Sequence, residues 1–517
     1  VGSPQFLHEI VERFAADAGG ALAVIDGETR WSAAALWTRV GVWAERVGAV
    51  VDSAGEGGSR VGSEPGLAVG VLAENSVDLL ALQLAIPMAG ASAFLLNTRL
   101  SDAELESLVA EVRPVAMVSS LAQADRGDRL AAAVAATAML TGDVAASGPA
   151  IGTARIPAKS ELCPNAPAWI IHTSGTTGRP KGALLSHEGL LAAVSVTAAA
   201  RPLADDDVYL FPFPLFHVAA YNVLHALSRR RPVVLVPKFD AVEVMSAIES
   251  ERVTAMSLAP TMISMLLDHP DRSRFDLSSL RMIAYGASAI PVETLRRGLG
   301  ELNCDFAQGY GMTELSGNAV FLGPEDHRLA AGARPDLLAA AGTPGPGVEI
   351  RLVNDDGAEC GPGERGEIEI RSPQRFLGYF DNAEATAAVL TTDGWLRTGD
   401  IGRVDTEGYL FVVDRKKDLI ISGGENISSR EVEDVVSEFP GVAQCAAVGL
   451  PDERWGEVVT AVVVTQQRAD VVGQDLIAFC RERLAGFKCP KRVVIVDALP
   501  VNASGKVQKN VLRDLLA

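Results

Sequence analysis

Four short segments carry residue types at spacings suited to handling an anion. Thr173 to Gly182 reads T-S-G-T-T-G-R-P-K-G and mixes hydroxyls, glycines and Lys181. Glycines let backbone N–H groups close on an anion, hydroxyls donate further bonds, and the lysine adds charge. No G-x-x-x-x-G-K-[ST] register fits, so this is not a Walker loop. Gln308 to Glu314 reads Q-G-Y-G-M-T-E. Its glycines admit a ligand to the backbone, Tyr310 offers a stacking face, and Glu314 is a hard oxygen ligand. Asp400 closes the run W-L-R-T-G-D that begins at Trp395, and a carboxylate accepts two hydroxyl bonds well. Near the end, Asn502 to Lys506 reads N-A-S-G-K, a point charge beside a free backbone.

These segments need a scaffold, and the hydrophobic pattern supplies one. Short apolar runs at 67–72, 91–96, 115–118, 169–171, 233–236, 254–258 and 282–284 read as buried strands. Helical patterns at 77–86, 241–251 and 292–299 lie between them. The alternation predicts α/β layers with largely buried sheets. The run 79–96 is interrupted by Gln83, Pro87 and Gly90, so it predicts a helix that breaks at Pro87 and feeds a strand, not a membrane span. Residues 341–412 switch to alternating strands split by turn residues, a small β-rich subdomain. Beyond Asp414 lies an α+β unit of about 100 residues, whose first helix opens on a capping box, Ser428-x-x-Glu431. Residues 52–66 and 122–156 read as mobile.

Together the ordered segments resemble the adenylate-forming superfamily: acyl- and aryl-CoA synthetases, luciferase and the adenylation domains of peptide synthetases. The resemblance runs from about Leu22 to Leu512, most closely to the acyl-CoA synthetase branch. It implies a large N-terminal domain over 1–413, with two α/β subdomains and a β-barrel. A hinge over 414–417 and a small mobile C-terminal domain over 418–517 follow. It further implies that Thr173, Ser174, Gly175, Thr176, Thr177, Gly178 and Lys181 form the phosphate loop. Gly286, Ala287 and Ser288 line the adenine and acyl pocket. Gly309, Tyr310, Gly311 and Met312 hold the adenine, with Tyr310 packed on it. Thr313 contacts the α-phosphate and Glu314 binds Mg²⁺. Asp400 and Arg415 hold the ribose, Lys417 is the hinge, and Lys506 bridges carboxylate and α-phosphate. Gly423 and Gly424 form the pantetheine tunnel. His217, in P-x-P-x-F-H, resembles the aromatic gate between acyl pocket and tunnel; a buried structural histidine is the plainer reading. Lys416 and Lys417 also read as a solvated charge run.

The implied reaction uses ATP, Mg²⁺ and coenzyme A to turn a carboxylic acid into an acyl-adenylate and then a thioester. A carrier-protein phosphopantetheine is the alternative acceptor, and an inactive nucleotide sensor is the alternative of another class. Relatives that activate amino acids carry an Asp near position 217, where this chain has His217 to Tyr221. Small apolar Val218, Ala219, Ala220 and Ala287 point instead to a bulky hydrophobic acid: fatty, aryl or polycyclic. His172 stands where many relatives have Tyr or Phe, and Val501 replaces a common Arg.

Bulk properties agree. The 517 residues are 48% hydrophobic and 21% charged, which excludes collagen-like, coiled-coil and largely disordered chains. A net charge of −19 does not suit a broad nucleic-acid surface. Six cysteines without C-x-x-C or zinc spacing predict reduced thiols, and the N-terminal residues lack a signal-peptide pattern, so a cytoplasmic setting is expected. Only nine of the 46 basic residues are lysine, and Lys181, Lys416, Lys417, Lys488 and Lys506 fall in or beside the motifs. A flexible ammonium is therefore expected to matter at Lys506 and Lys181.

Overall fold

The computed structural model describes residues 3–54, 66–143, 159–173, 180–288, 290–416, 418–422, 425–452, 454–466, 471–501 and 507–516. Two large sheets dominate. One has seven strands, in the spatial order Gly378–Tyr379, Lys181–Ser186, Pro167–Thr173, Ser92–Leu95, Ala68–Leu72, Ala116–Ser119, Thr137–Leu140. Its last five strands run parallel; the first two are antiparallel additions. The other has nine strands and is parallel through Leu22–Asp26, Val233–Leu235, Tyr209–Phe211, Ala255–Leu258, Met282–Gly286 and Asp305–Met312. Helices cover both sheets and close one continuous apolar core, with Trp43, Trp169, Tyr209 and Phe306 fully buried in it. Central strands such as Ala68–Leu72 and Val233–Leu235 are apolar and buried along their whole length because both faces are covered.

Residues 341–412 add a four-stranded antiparallel sheet in the order Glu349–Val353, Arg365–Arg371, Leu396–Val404, Leu410–Arg415. From Ile420 the chain builds a separate five-stranded sheet around the long pair Val442–Asp452 and Gly456–Thr465, with cores of its own.

Three expectations are corrected. The helix does not break at Pro87; it runs Val77–Met88. Pro87 has no N–H for the Gln83 carbonyl one turn back, and the buried Trp169 indole donates to that carbonyl instead at 3.0 Å. Most of 122–143 is ordered: Ala124–Ala133 is a helix and Thr137–Leu140 an edge strand. Its alanines are helix formers, and Leu130 and Ala131 bury against the sheet. The remainder, 144–156, lies outside the described residues, as does 55–65 of the other stretch read as mobile. At Ser428 only half of the capping box forms: its side chain accepts from the Glu431 N–H, while the Glu431 carboxylate pairs with Lys488 at 2.6 Å.

Candidate active site

The described parts of three of the sequence segments meet where parallel strands end. Met282–Gly286 and Asp305–Met312 lie side by side, Gly286 opposite Gly309, and ligands of open α/β sheets collect beyond such carboxyl ends. Two glycines here are required by crowding. A Cβ on Gly286 would sit 2.5 Å from the Gly309 carbonyl oxygen, and one on Gly311 would sit 2.1 Å from that of Gly317. Ala287, directly after the first, has a left-handed φ of 68°, a conformation uncommon for non-glycine residues. Ser288 follows it, half-buried.

Tyr310 projects from the second strand and donates its hydroxyl to Asp400 Oδ2 at 2.7 Å. Arg415 lies opposite Asp400 in the antiparallel ladder and sets its Nε 3.3 Å from Oδ1. Both oxygens of this carboxylate are thus engaged. Burial and the Asp400 charge hold the Tyr310 phenol far above its ordinary range, so it remains a donor.

Past Met312 the chain turns through a single 3-10 turn, Thr313–Leu315. Thr313 and Glu314 are buried there. The fully buried Gln374 pins the turn, donating to the Leu315 and Asn318 carbonyls at 3.1 and 2.9 Å. Glu314 Oε1 accepts from the Tyr379 hydroxyl at 2.8 Å. Lys181 Nζ stands 5.1 Å from the centre of the same Tyr379 ring, a cation–π distance. Burial, and then the Glu314 charge, raise the Tyr379 phenol, so it too stays protonated.

The two described phosphate-loop candidates lie on paired antiparallel strands. Thr173 ends strand Pro167–Thr173 and pairs with Lys181, which opens strand Lys181–Ser186. Ser174, Gly175, Thr176, Thr177 and Gly178 lie outside the described residues, as do Lys417, Gly423, Gly424 and Lys506.

His217 closes the proline–aromatic run. Its Nδ1 accepts the Ala219 N–H at 3.2 Å and caps a 3-10 turn. Burial lowers its pKa to about 4, so the ring is neutral. Two buried amides hold the run in place. Asn75 donates to the Phe213 carbonyl and accepts the Leu215 N–H, at 2.8 and 2.6 Å; Gln83 donates to the Leu215 carbonyl at 2.6 Å.

Around the joint, Asp414 accepts from the Ser429 N–H and hydroxyl at 2.6 and 2.7 Å. Asp418 pairs with Arg513 at 3.0 Å. Lys416 pairs with Glu367 at 3.1 Å, which favours the solvated-charge reading for that lysine.

The structure joins Tyr310, Asp400 and Arg415, and sets Glu314 and Lys181 on Tyr379; the sequence named those five residues but gave no role to Tyr379, Gln374, Asn75 and Gln83. The Gly378-Tyr379 pair inside an aromatic run was the available signal for Tyr379. Buried amides leave none, because their partners are backbone atoms far away in sequence.

With this geometry in hand, comparison with known proteins is decisive. The family model described as AMP-binding enzyme matches residues 11–380, and the AMP-binding enzyme C-terminal domain matches 431–506. The chain belongs to the AMP-binding enzyme family. It is 40% identical over 460 residues to the indoleacetate–CoA ligase of Aromatoleum aromaticum, spanning 87% of this chain and 88% of that one. It is 38% identical to a feruloyl-CoA synthase of an Amycolatopsis species, over 87% and 89% of the two chains. Among solved structures, the amide bond synthetase McbA from Marinactinospora thermotolerans superposes with a TM-score of 0.86 at 31% identity, covering 98% and 99%. The protein is an AMP-forming acid–thiol ligase that uses ATP, Mg²⁺ and coenzyme A with a small-molecule carboxylic acid. The ligase has no helix, among the described residues, long and apolar enough to cross a membrane.

The described residues contain no cluster of three metal-ligating side chains. Mg²⁺ keeps several of its waters and takes phosphate oxygens plus one or two carboxylates. Glu314 is buried, fixed by Tyr379 and one turn from the glycine strand, and so fits that role.

Proposed function

We propose that this ligase activates a bulky aryl or fused-ring carboxylic acid, and that the residues described above divide the work as follows. Asp400 and Arg415 take the ribose, with Tyr310 orienting the carboxylate from behind while its ring meets adenine. Ser174 to Gly178 and Lys181 hold the outer phosphates, and Thr313 the α-phosphate. Held at Glu314, Mg²⁺ supplies charge neutralisation for the phosphates. The acid carboxylate then attacks the α-phosphorus, pyrophosphate leaves, and Lys506 offsets the charge of the two approaching anions. An anion attacking an anion gains most from positioning and fixed positive potential.

The observation that carries this reading is the joint engagement of Asp400 by Tyr310 and Arg415 at the carboxyl ends of the parallel strands, beside Glu314. The wall residues Val218, Ala219 and Ala220 are small, and neutral His217 offers no anion to an α-amino group. Relatives named for indoleacetate and ferulate act on aryl acids, which supports the same class here. For the second half-reaction, rotation about Lys417 brings Gly423 and Gly424 to the pocket mouth and admits the thiol of coenzyme A past His217. Unpaired cysteines throughout the chain support a reducing, cytoplasmic setting.

A panel of aryl, fatty, fused-ring and α-amino acids, read by pyrophosphate release and then by thioester formed on coenzyme A, tests this. Turnover of aryl or fused-ring acids is expected. Strong turnover of amino acids with none of the apolar acids would sink the substrate class, and adenylate without CoA thioester would favour a carrier-protein acceptor.

A further inference from the structure

Among the described residues, two arginines are nine-tenths buried or more, and they are treated differently. Arg39 is held by Asp78 through Nε and Nη2 at 2.5 and 2.8 Å. Arg201, at the end of helix His187–Ala200, is 6% exposed and has no carboxylate within ion-pair reach among the described residues. Its Nη2 donates to Asn222 Oδ1 at 2.5 Å, its Nη1 makes a long 3.4 Å contact to Ser257 Oγ, and its Nε has no partner. A guanidinium taken out of water is costly unless paired and fully hydrogen-bonded, so this one is held ready for an acceptor.

The surroundings are built and polar. Asn222 turns its oxygen to Arg201 because its Nδ2 is tied to the Ala219 carbonyl at 3.0 Å. Ser257 shares a hydrogen bond with the Tyr209 hydroxyl at 2.5 Å. His225, three residues after Asn222 and on the same helix face, is fully buried with neither ring nitrogen partnered. Burial, and then the charges of Arg201 and Arg229, keep it neutral, so it can accept or donate one bond. Among the described residues, no acidic side chain hydrogen-bonds or ion-pairs with this group.

The cluster adjoins the proposed acid pocket. Ala219, which anchors Asn222, is two residues from His217. Tyr221 takes the Asn318 N–H at 3.4 Å, and Asn318 sits opposite Gly311 in the ladder. Through Ala219 and Tyr221 the cluster is thus joined to the His217 segment on one side and to the Gly311 strand on the other.

We propose that Arg201 is a specificity-determining residue whose open N–H meets an acceptor oxygen at the end of the acid remote from the activated carboxylate. The substrate is then a bulky acid with an apolar body and a distal keto or carboxylate oxygen. The proposal rests on the ligase reading above. A site with a buried donor discriminates strongly against analogues that leave that donor unpaired, whereas an added methylene changes little.

The test uses the full-length enzyme and three acids of equal length: an arylalkanoic acid, its ring-keto analogue and its ring-carboxy analogue. The readout is the ratio of kcat/KM for pyrophosphate release between each oxygenated acid and the plain one. The wild type is expected to favour at least one oxygenated acid by about tenfold or more. Preference for both marks a neutral acceptor as sufficient; preference for the carboxy acid alone marks an anion. Arg201→Met is expected to bring the ratio near one. Ser257→Ala, which removes only a hydroxyl, is expected to narrow it and serves if the first variant does not fold. A wild-type ratio of one, or a ratio that survives in both variants, overturns the proposal. Turnover of the plain acid reports separately on the ligase reading.

Discussion

The hydroxyl of Tyr310 donates to Asp400 across 90 residues of chain, 2.7 Å from the carboxylate oxygen that Arg415 leaves free. A side chain assigned to the base and one assigned to the sugar are therefore one unit. Tyr310→Phe keeps the ring but leaves a buried carboxylate short of a donor. A lost bond to a charged partner is worth ~1.5–3 kcal/mol, or about tenfold to a hundredfold. The expected result is a KM for ATP raised by that order with the KM for the acid little changed. Equal loss on both substrates would contradict the unit.

Tyr379 links Glu314 to Lys181, so its removal should be felt as metal dependence. Tyr379→Phe is expected to raise the Mg²⁺ concentration for half-maximal adenylation severalfold. Glu314→Gln should lower kcat by about a hundredfold or more. Titrating Mg²⁺ at saturating ATP measures both; an unchanged Mg²⁺ midpoint in Tyr379→Phe would remove Tyr379 from the site.

Lys506→Ala should lower adenylation by orders of magnitude while thioester formation from supplied acyl-adenylate stays largely intact. Lys506→Arg should restore little, because a planar fork does not replace a compact point charge. Single-turnover assays of the two half-reactions separate these outcomes; equal loss in both would refute distinct arrangements for the two steps.

Four buried histidines predict an acid limit. Burial holds His8 and His217 at about 4 and His187 and His225 at about 3, against an ordinary 6.5. Their folded pKa values lie below the unfolded ones, so the unfolded chain binds more protons as pH falls below about 6.5. Stability is therefore full above that pH and drains steadily toward about 3. Urea midpoints should fall through this window, and activity should fall with them. Activity lost there with no change in midpoint would indicate a catalytic titration instead.

The Trp169–Gln83 contact makes a stability prediction. Trp169→Phe strands a buried carbonyl, at a cost of about 1–3 kcal/mol. Adding Pro87→Ala restores a helical N–H to that carbonyl and should recover part of the loss. A double variant no more stable than Trp169→Phe alone would show that the indole was needed only for its bulk.

What could be read from the sequence follows from what is local. Strand runs such as 67–72 and 282–284 and the helix at 241–251 declare themselves through periodicity, and the glycine and carboxylate motifs through residue types. Their convergence was implied only by the resemblance. Pro87 misled because local rules end a helix there, and only a tryptophan 82 residues later rescues the carbonyl. The alanine-rich 124–140 misled because low aromatic content resembles disorder until Leu130 finds the sheet. Asn75, Gln83, Gln374 and Arg201 were illegible for one reason: each owes its role to partners distant in the chain, and the residue type alone carries no trace of them.

The backbone-to-backbone closeness at Gly286 and Gly311 bears on how this enzyme can diversify. Those two positions tolerate no side chain at all, so selection for a new acid cannot act there. It must act on residues 217–223 and on the Arg201, Asn222 and Ser257 group, which possess side chains to exchange. Nucleotide chemistry and acid choice are thereby inherited through separate sets of positions. A lineage can exchange the acid it accepts many times over while the machinery that splits ATP is passed on unaltered.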